Sequence, residues 1–400
     1  MFQFTSGQGW QIGRIFGIPI VIHVSWLLVF AFVTWTLATA YLPAALPGQS
    51  GPRYWAMGGM AALLLFLSVL LHELGHCWVA LRYHVPIGQI TLFVFGGVAH
   101  MKKEPPTPKA EFLIAIAGPI VSFGLGAACL GFGIVNDLAG LRPDLHGLTV
   151  LGWLLGTVNL QIGLFNLIPG FPLDGGRALR AGLWAWSKDF YAATRRSAVA
   201  GLAFGVLLSC LGGSLMLGAG LHLLEASLIT TGMWVAMIGL FLFATAKGTR
   251  QQAVFRETLA RVTVSELVTP SVISVPAALT IESAVKGYFL PHGFSGFPVM
   301  EQDRLVGMVT VQDLQRLPQT LWPWREVRNV MRPWSAEMEI AAGASALHAL
   351  EQMGMASLDR LIVRQDGRIV GVLTRSAVWR YLNLRTQGRS SSTVDPPQAA

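Results

Sequence analysis

The sequence predicts a polytopic α-helical membrane protein of about six transmembrane helices with a re-entrant β-hairpin, followed by a cytoplasmic α/β module made of two repeats. Three observations predict it. Of the 400 residues, 53% are hydrophobic and only 12% charged, against roughly a quarter charged in an ordinary soluble domain. Several uncharged apolar stretches approach the roughly 20 residues needed to cross a bilayer. Near Lys247 those stretches stop, and short alternating segments that echo one another begin.

The apolar stretches are Val21–Ala40, Trp55–Leu71, Phe112–Val135, Gly147–Ile168, Ser197–Leu217 and Ala226–Ala246. The first follows only Arg14, is long enough to span and has no small-residue cleavage site behind it, so it reads as a retained helix. The net charge is +8, but the cations flank the spans instead of forming one patch, and nucleic acid is not expected as a partner. Lys102, Lys103 and Lys109 fall between spans two and three, Arg177, Arg180, Lys188, Arg195 and Arg196 between spans four and five, and Lys247, Arg250, Arg256 and Arg261 after span six. The positive-inside rule then puts the N-terminus, these loops and everything after span six on the cytoplasmic side of a cell membrane. Cys77, Cys129 and Cys210 are scattered and form neither a disulfide framework nor a cysteine metal site.

The chemistry is carried first by His72-Glu-Leu-Gly-His76, at the end of the second apolar segment. Residues four apart share a helix face, so both imidazoles reach one ion, and Glu73 between them can handle its water. A catalytic zinc site needs a third protein ligand and an open position. The candidate is Asp174, in Asn166-Leu-Ile-Pro-Gly-Phe-Pro-Leu-Asp-Gly-Gly-Arg177, just past span four, where prolines and glycines break the helix and let a carboxylate turn inward. Topology brings the two motifs to one depth on one side. Ile87–Met101 is rich in β-branched and aromatic residues around Gly96-Gly97 and suits a re-entrant hairpin whose edge takes an extended substrate. Asn159 and Asn166, two helical turns apart, serve either as substrate clamps or in helix-to-helix hydrogen bonds.

At these residues the chain resembles the site-2 protease family of intramembrane zinc metalloproteases. His72, Glu73 and His76 match its first motif; Asn166, Pro169, Leu173, Asp174 and Gly175 match its second. The resemblance implies one Zn²⁺ held by His72, His76 and Asp174, Glu73 as general base, and Asn166 and Pro169 near the substrate. It also implies a single-span membrane-tethered regulator, such as an anti-sigma factor or a precursor sigma factor, as substrate.

In the C-terminal part, Val264-Ser-Glu-Leu-Val-Thr-Pro270 echoes Val327-Arg-Asn-Val-Met-Arg-Pro333, and Arg304-Leu-Val-Gly-Met-Val-Thr310 echoes Arg368-Ile-Val-Gly-Val-Leu-Thr374. This pair resembles tandem CBS domains, with repeats at about 264–320 and 327–383. The resemblance implies ATP, ADP or AMP as ligand, with Thr310 and Asp313 at its ribose, and association of the module into a homodimer. The second repeat has Ala377 where that aspartate would stand. The organisation expected is a membrane domain over 1–250, the CBS pair over 251–383 and a disordered tail over 384–400. A branch of the site-2 protease family carries such a pair. The rival reading is a membrane transporter or channel gated by the CBS pair, with His72, Glu73 and Asp174 along an ion path.

Overall fold

The computed structural model describes residues 9–93, 96–138, 146–269, 273–302, 304–356 and 358–390. The chain divides into two compact units, Met1–Val254 and Phe255–Ala400.

The first unit opens with two strands, β1 (Gly9–Ile15) and β2 (Ile18–His23), before any helix. Hydropathy alone starts the first span at Val21, yet Val21–His23 belong to β2. The alternating β-branched run Ile18-Pro-Ile-Val-Ile finds a partner strand, and that pairing overrides the apolar signal. The helical stretch then runs as α1 (Ser25–Thr36), a π-turn at Leu37–Tyr41, and α2 (Leu42–Ala45). Next come α3 (Gly51–Arg82), β3 (Ile87–Phe93), β4 (Gly96–Met101), α4 (Pro108–Leu138) and α5 (His146–Asn166). The unit closes with the short α6 (Asp174–Ser187), α7 (Phe190–Gly220) and most of α8 (Leu228–Ala260). Six of these stretches, Val24–Ala45, α3, α4, α5, α7 and α8, are long and apolar enough to cross a membrane. Close helix contact is made through small residues, as in membrane bundles: a Cβ at Gly156 of α5 would press on the Leu130 backbone of α4.

The hairpin expected over 87–101 forms as β3 and β4, with residues 94 and 95 outside the described part. It does not stand alone. The sheet order is β1-β2-β3-β4, with β2 parallel to β3 (Ile20 opposite Ile90) and β3 antiparallel to β4 (Ile90 opposite Ala99). Buried Ile18 and Ile90 pack on Leu74 and Cys77 of α3. This contact seats the sheet beside the second half of α3, with β4 as its outer edge.

The second unit holds two small sheets. In the first, β5 (Val275–Pro276) runs parallel to β6 (Gly296–Glu301), which pairs with β7 (Arg304–Thr310), and β7 pairs with β8 (Arg332–Pro333). The turns α9 (Ile281–Ala284) and α10 (Leu290–His292) precede β6, and α11 (Val311–Gln315) follows β7. The second sheet joins β9 (Glu339–Ala341), β10 (Arg360–Gln365) and β11 (Arg368–Thr374), flanked by α12 (Ala346–Met355) and α13 (Arg375–Ser390). The sequence repeats are not the structural repeats. Val264, at the head of the first, is buried among second-repeat residues such as Ile340, Ile362 and Leu373, and Val327, at the head of the second, is buried with Val275, Phe297 and Val309. Thr269 likewise bridges Val372 of β11. Each repeat lends its leading segment to the other's core, so neither core is complete alone. Helix α13 runs to Ser390, past the 384 boundary expected for the tail, since Val378 and Leu382 anchor it in the core; residues 391–400 lie outside the described part.

Candidate metal centre and its edge strand

Helix α3 continues ten residues beyond His72, so the histidines stand well inside a helix instead of at its end. Both rings are buried. Across from them α5 stops at Asn166 and α6 starts at Asp174. The Asp174 carboxylate Oδ2 lies 3.1 Å from Nε2 of His72 and 3.1 Å from Nε2 of His76, and the two Nε2 atoms are 3.2 Å apart. Among the described residues this is the one group of three such side chains whose ligand atoms converge within 4.8 Å.

The opposite ring nitrogens show what the convergence means. Nδ1 of His76 lies 2.6 Å from the Ile114 carbonyl oxygen, which can only accept, so Nδ1 carries the proton. In the neutral ring Nε2 is then a lone pair aimed at a carboxylate oxygen and at a second imidazole. Nδ1 of His72 lies 2.9 Å from Ser122 Oγ; with that hydroxyl accepting the Nδ1 proton, as a metal ligand requires, its Nε2 is free in the same way. Three acceptors facing one point repel unless a cation lies between them. Ligands 2.0–2.2 Å from zinc in a tetrahedron sit roughly 3.3–3.5 Å apart, close to the separations here, and imidazole, imidazole and carboxylate suit that ion. The donor set therefore fits a resident Zn²⁺ with one position open.

Ile114, Gly118 and Ser122 lie four apart on α4 and form the stripe that faces the histidines. Gly118 is required there: a Cβ would overlap Nε2 of both rings. Helix α6 is fixed by the buried pair Arg180–Glu111, with Arg180 Nε donating to Glu111 Oε1 at 2.7 Å. The same guanidinium lies over the rings of Phe171 and Phe190. Ser122, Gly118, Glu111 and Arg180 were missed in the sequence. Their only signal is an apolar span interrupted by small and polar residues, which marks a helix interface without saying what it faces.

Glu73 projects from α3 toward the sheet. A Cβ at Gly97 would stand 2.5 Å from Glu73 Cγ and 3.3 Å from Oε1, so this glycine lets the β4 backbone lie directly against the carboxylate stem. Gly96 adopts φ 118°, and the nearest atom a Cβ would meet is Val69 Cγ1, one turn before Glu73. Asn159 is 1% exposed and its amide donates to Ser68 Oγ on α3 and to the Leu155 carbonyl. It makes the helix-to-helix bond. Asn166 donates to the Ile162 carbonyl at 3.1 Å and stays partly open. Pro169, exposed, lines an apolar groove of about 540 Å³ with Leu164 and Phe165.

In the second unit Thr310 lines a cavity of about 450 Å³ with Ser295, Gln312, Arg332, Asp359 and Arg375. Asp313 does not line it. Its Oδ2 accepts from the Thr310 amide at 3.1 Å and from the Thr310 hydroxyl at 2.6 Å, and Arg332 Nε is 3.3 Å from its Oδ1. Thr310 and Asp313 thereby close the capping box of α11, a Thr and an Asp three residues apart.

Comparison with known proteins gives a consistent result. The model of peptidase family M50 matches residues 60–141 and 143–211, and the CBS domain model matches residues 264–319 and 327–378. The chain is 33% identical to the zinc metalloprotease Rip3 of Mycobacterium tuberculosis over 97% of both chains. It is 34% identical to a Synechocystis protein named as a zinc metalloprotease, over 93% of this chain and 95% of that one. The solved structure of a site-2 protease from Methanocaldococcus jannaschii shares 33% identity over 60% of this chain and 95% of that chain, with a TM-score of 0.40.

Proposed function

The chain belongs to peptidase family M50, the site-2 proteases, in the form that carries C-terminal CBS domains, and from that premise we propose that His72, His76 and Asp174 hold its zinc and that Glu73 is its general base. It is an intramembrane zinc metalloprotease. The observation that carries the residue assignment is the 3.1 Å approach of Asp174 Oδ2 to both Nε2 atoms while the His76 Nδ1 proton is engaged elsewhere.

Zn²⁺ at these ligands supplies a Lewis acid that brings the pKa of a water to about 7 and polarises a carbonyl. Glu73 takes the water proton and delivers it to the leaving amine. Ser122 and Ile114 hold the two imidazoles in the ligand tautomer. A transmembrane helix hides its peptide bonds, so the substrate has to be extended beside Glu73. The free edge of β4 supports that role, pairing an incoming strand while Gly96 and Gly97 keep side chains out of the gap. Asn166 and Pro169 stand at the adjoining end of α5. The hairpin reads as re-entrant, since β3 packs on a membrane-length helix level with its histidines. With the basic loops inside, the N-terminus and CBS pair are cytoplasmic in the cell membrane. A single-span regulator such as an anti-sigma or precursor sigma factor fits as substrate.

The cavity beside Thr310, with Arg332 and Arg375 in its wall, suits the phosphates of ATP, ADP or AMP, and a CBS pair of this kind suits a homodimer. Control of proteolysis from there requires nucleotide to bind the open and closed states with different affinity.

The decisive experiment measures zinc content and cleavage of a transmembrane peptide together. Glu73→Gln retains zinc and abolishes cleavage; His72→Ala and Asp174→Ala lose both. Full zinc in Asp174→Ala overturns the ligand set. Unchanged cleavage across saturating ATP, ADP and AMP removes nucleotide control.

A further inference from the structure

Arg177 lies three residues after Asp174, one turn into α6, and is only partly exposed. Its Nη2 lies 3.6 Å from Met101 Sδ, a weak acceptor. Among the described residues no oxygen stands within hydrogen-bond or salt-bridge distance of its guanidinium. The contrast with Arg180, one turn further on, is direct: that guanidinium is closed on Glu111. A partly desolvated guanidinium with five donors and one thioether for company is unfavourable at rest, and an arrangement of this kind is explained by an acceptor that arrives.

Position says where that acceptor would lie. Gly97 and Met101 are four apart on β4, so they share a face of the strand. Glu73 touches that face at Gly97 and Arg177 at Met101, about 13 Å along the strand at 3.3 Å per residue. The carboxylate and the guanidinium thus mark the two ends of the edge strand. Asp174, Glu111 and Glu104 act on Arg177 with negative charge and Arg180 with positive charge, to which the zinc that Asp174 would hold adds. The acceptor an extended strand offers at regular intervals is a main-chain carbonyl.

We propose that Arg177 is a substrate-binding residue, its guanidinium donating to a backbone carbonyl of the extended segment about four residues along β4 from Glu73. It rests on the reading of β4 as the substrate strand. Loss of a hydrogen bond to a charged group predicts a fall of about 10- to 100-fold in kcat/KM. Binding of uncleaved substrate should fall by the same factor, because the contact forms before reaction.

The test uses the full chain in nanodiscs and a fluorophore–quencher single-span peptide that the protein cleaves. Arg177→Met is expected to lower kcat/KM in that range with zinc content unchanged, and to weaken binding of the same peptide in a Glu73→Gln background. Arg177→Lys, which keeps charge and one donor direction, recovers part of the loss, and millimolar methylguanidinium rescues Arg177→Ala. The losses persist when acidic residues of the peptide are replaced by amides; disappearance of the effect with those replacements assigns Arg177 to a side-chain carboxylate and overturns the carbonyl. Wild-type binding in Arg177→Met, or loss of zinc in both Arg177→Met and Arg177→Lys, overturns the proposal in favour of a structural cation. A photo-crosslinker at Val98 tests the strand separately: capture of the peptide there with no effect of Arg177→Met defeats Arg177 alone, and no capture defeats the strand reading beneath it.

Discussion

Ser122 Oγ lies 2.9 Å from Nδ1 of His72, on the side of the ring opposite Asp174. The hydroxyl is fully buried. Ser122→Ala leaves His72 free to rotate and to exchange tautomers. Partners of this type are worth about 10- to 100-fold in metal affinity. Competition against a chromophoric chelator should show that loss, with Ser122→Thr closer to wild type. Equal zinc affinity in Ser122→Ala and wild type would show that packing alone orients the ring.

Gly97 bears on Glu73 instead of on the metal. The Cβ of Gly97→Val would press on Glu73 Cγ and push the carboxylate from its place, and a misplacement of about 1 Å can lower a rate by about 10²-fold. Zinc content should stay at one per chain while cleavage falls by that order. Joint loss of zinc and cleavage would mean that the substitution collapses the sheet on α3.

Glu111 and Arg180 form a pair buried between α4 and α6, with Glu111 fully inaccessible. Removing one member of such a pair leaves an uncompensated charge and costs about 3–5 kcal/mol, whereas replacing both by apolar residues is often near neutral. Glu111→Leu should therefore lower the thermal midpoint sharply, and Glu111→Leu with Arg180→Met should recover most of it. A double variant as unstable as the single one would show that the ring contacts of Arg180 with Phe171 and Phe190 outweigh the charge pairing.

The histidine pair was legible because its spacing matches one helix face, and Asp174 because prolines and glycines bracket it. Apolar length carried the six spans. What the sequence could not reveal depends on partners distant along the chain. Ile18–His23 becomes a strand only because β3 lies beside it, and Ser122 becomes a histidine partner only because α4 crosses α3. Asn159 shows the limit of a shared-face argument: seven residues from Asn166, it turns to Ser68. Thr310 and Asp313 show a role the spacing did not announce, since the pair that suits a ribose also caps α11 within one turn. Val264 and Val327 head matching sequence repeats, yet each completes the opposite core, a crossing that similarity between repeats cannot reveal.

Asp359 gives the second unit an acid-sensitive joint between its repeats. Its Oδ2 accepts from Ser295 at 3.0 Å and from Arg360 Nη2 at 2.9 Å, and Arg360 also donates to the Gly296 carbonyl. Burial would raise the carboxyl, but Arg360, together with Ser295, outweighs it and holds it below its ordinary value. A carboxyl depressed on folding binds protons more readily in the unfolded chain, so its contribution is complete above the ordinary value of about 3.9 and is lost as pH falls toward the folded one. The carboxylate is 48% exposed, so the effect is modest and weakens in salt. Protection factors at the amides of β6 and β10, which remove the intrinsic pH dependence of exchange, should fall between pH 5 and pH 3 (approximate bounds set by that ordinary value) more steeply in wild type than in Asp359→Asn. At the low end the two should converge. Parallel profiles would assign the joint to Arg360 and the Gly296 carbonyl, a contact that does not titrate in this range.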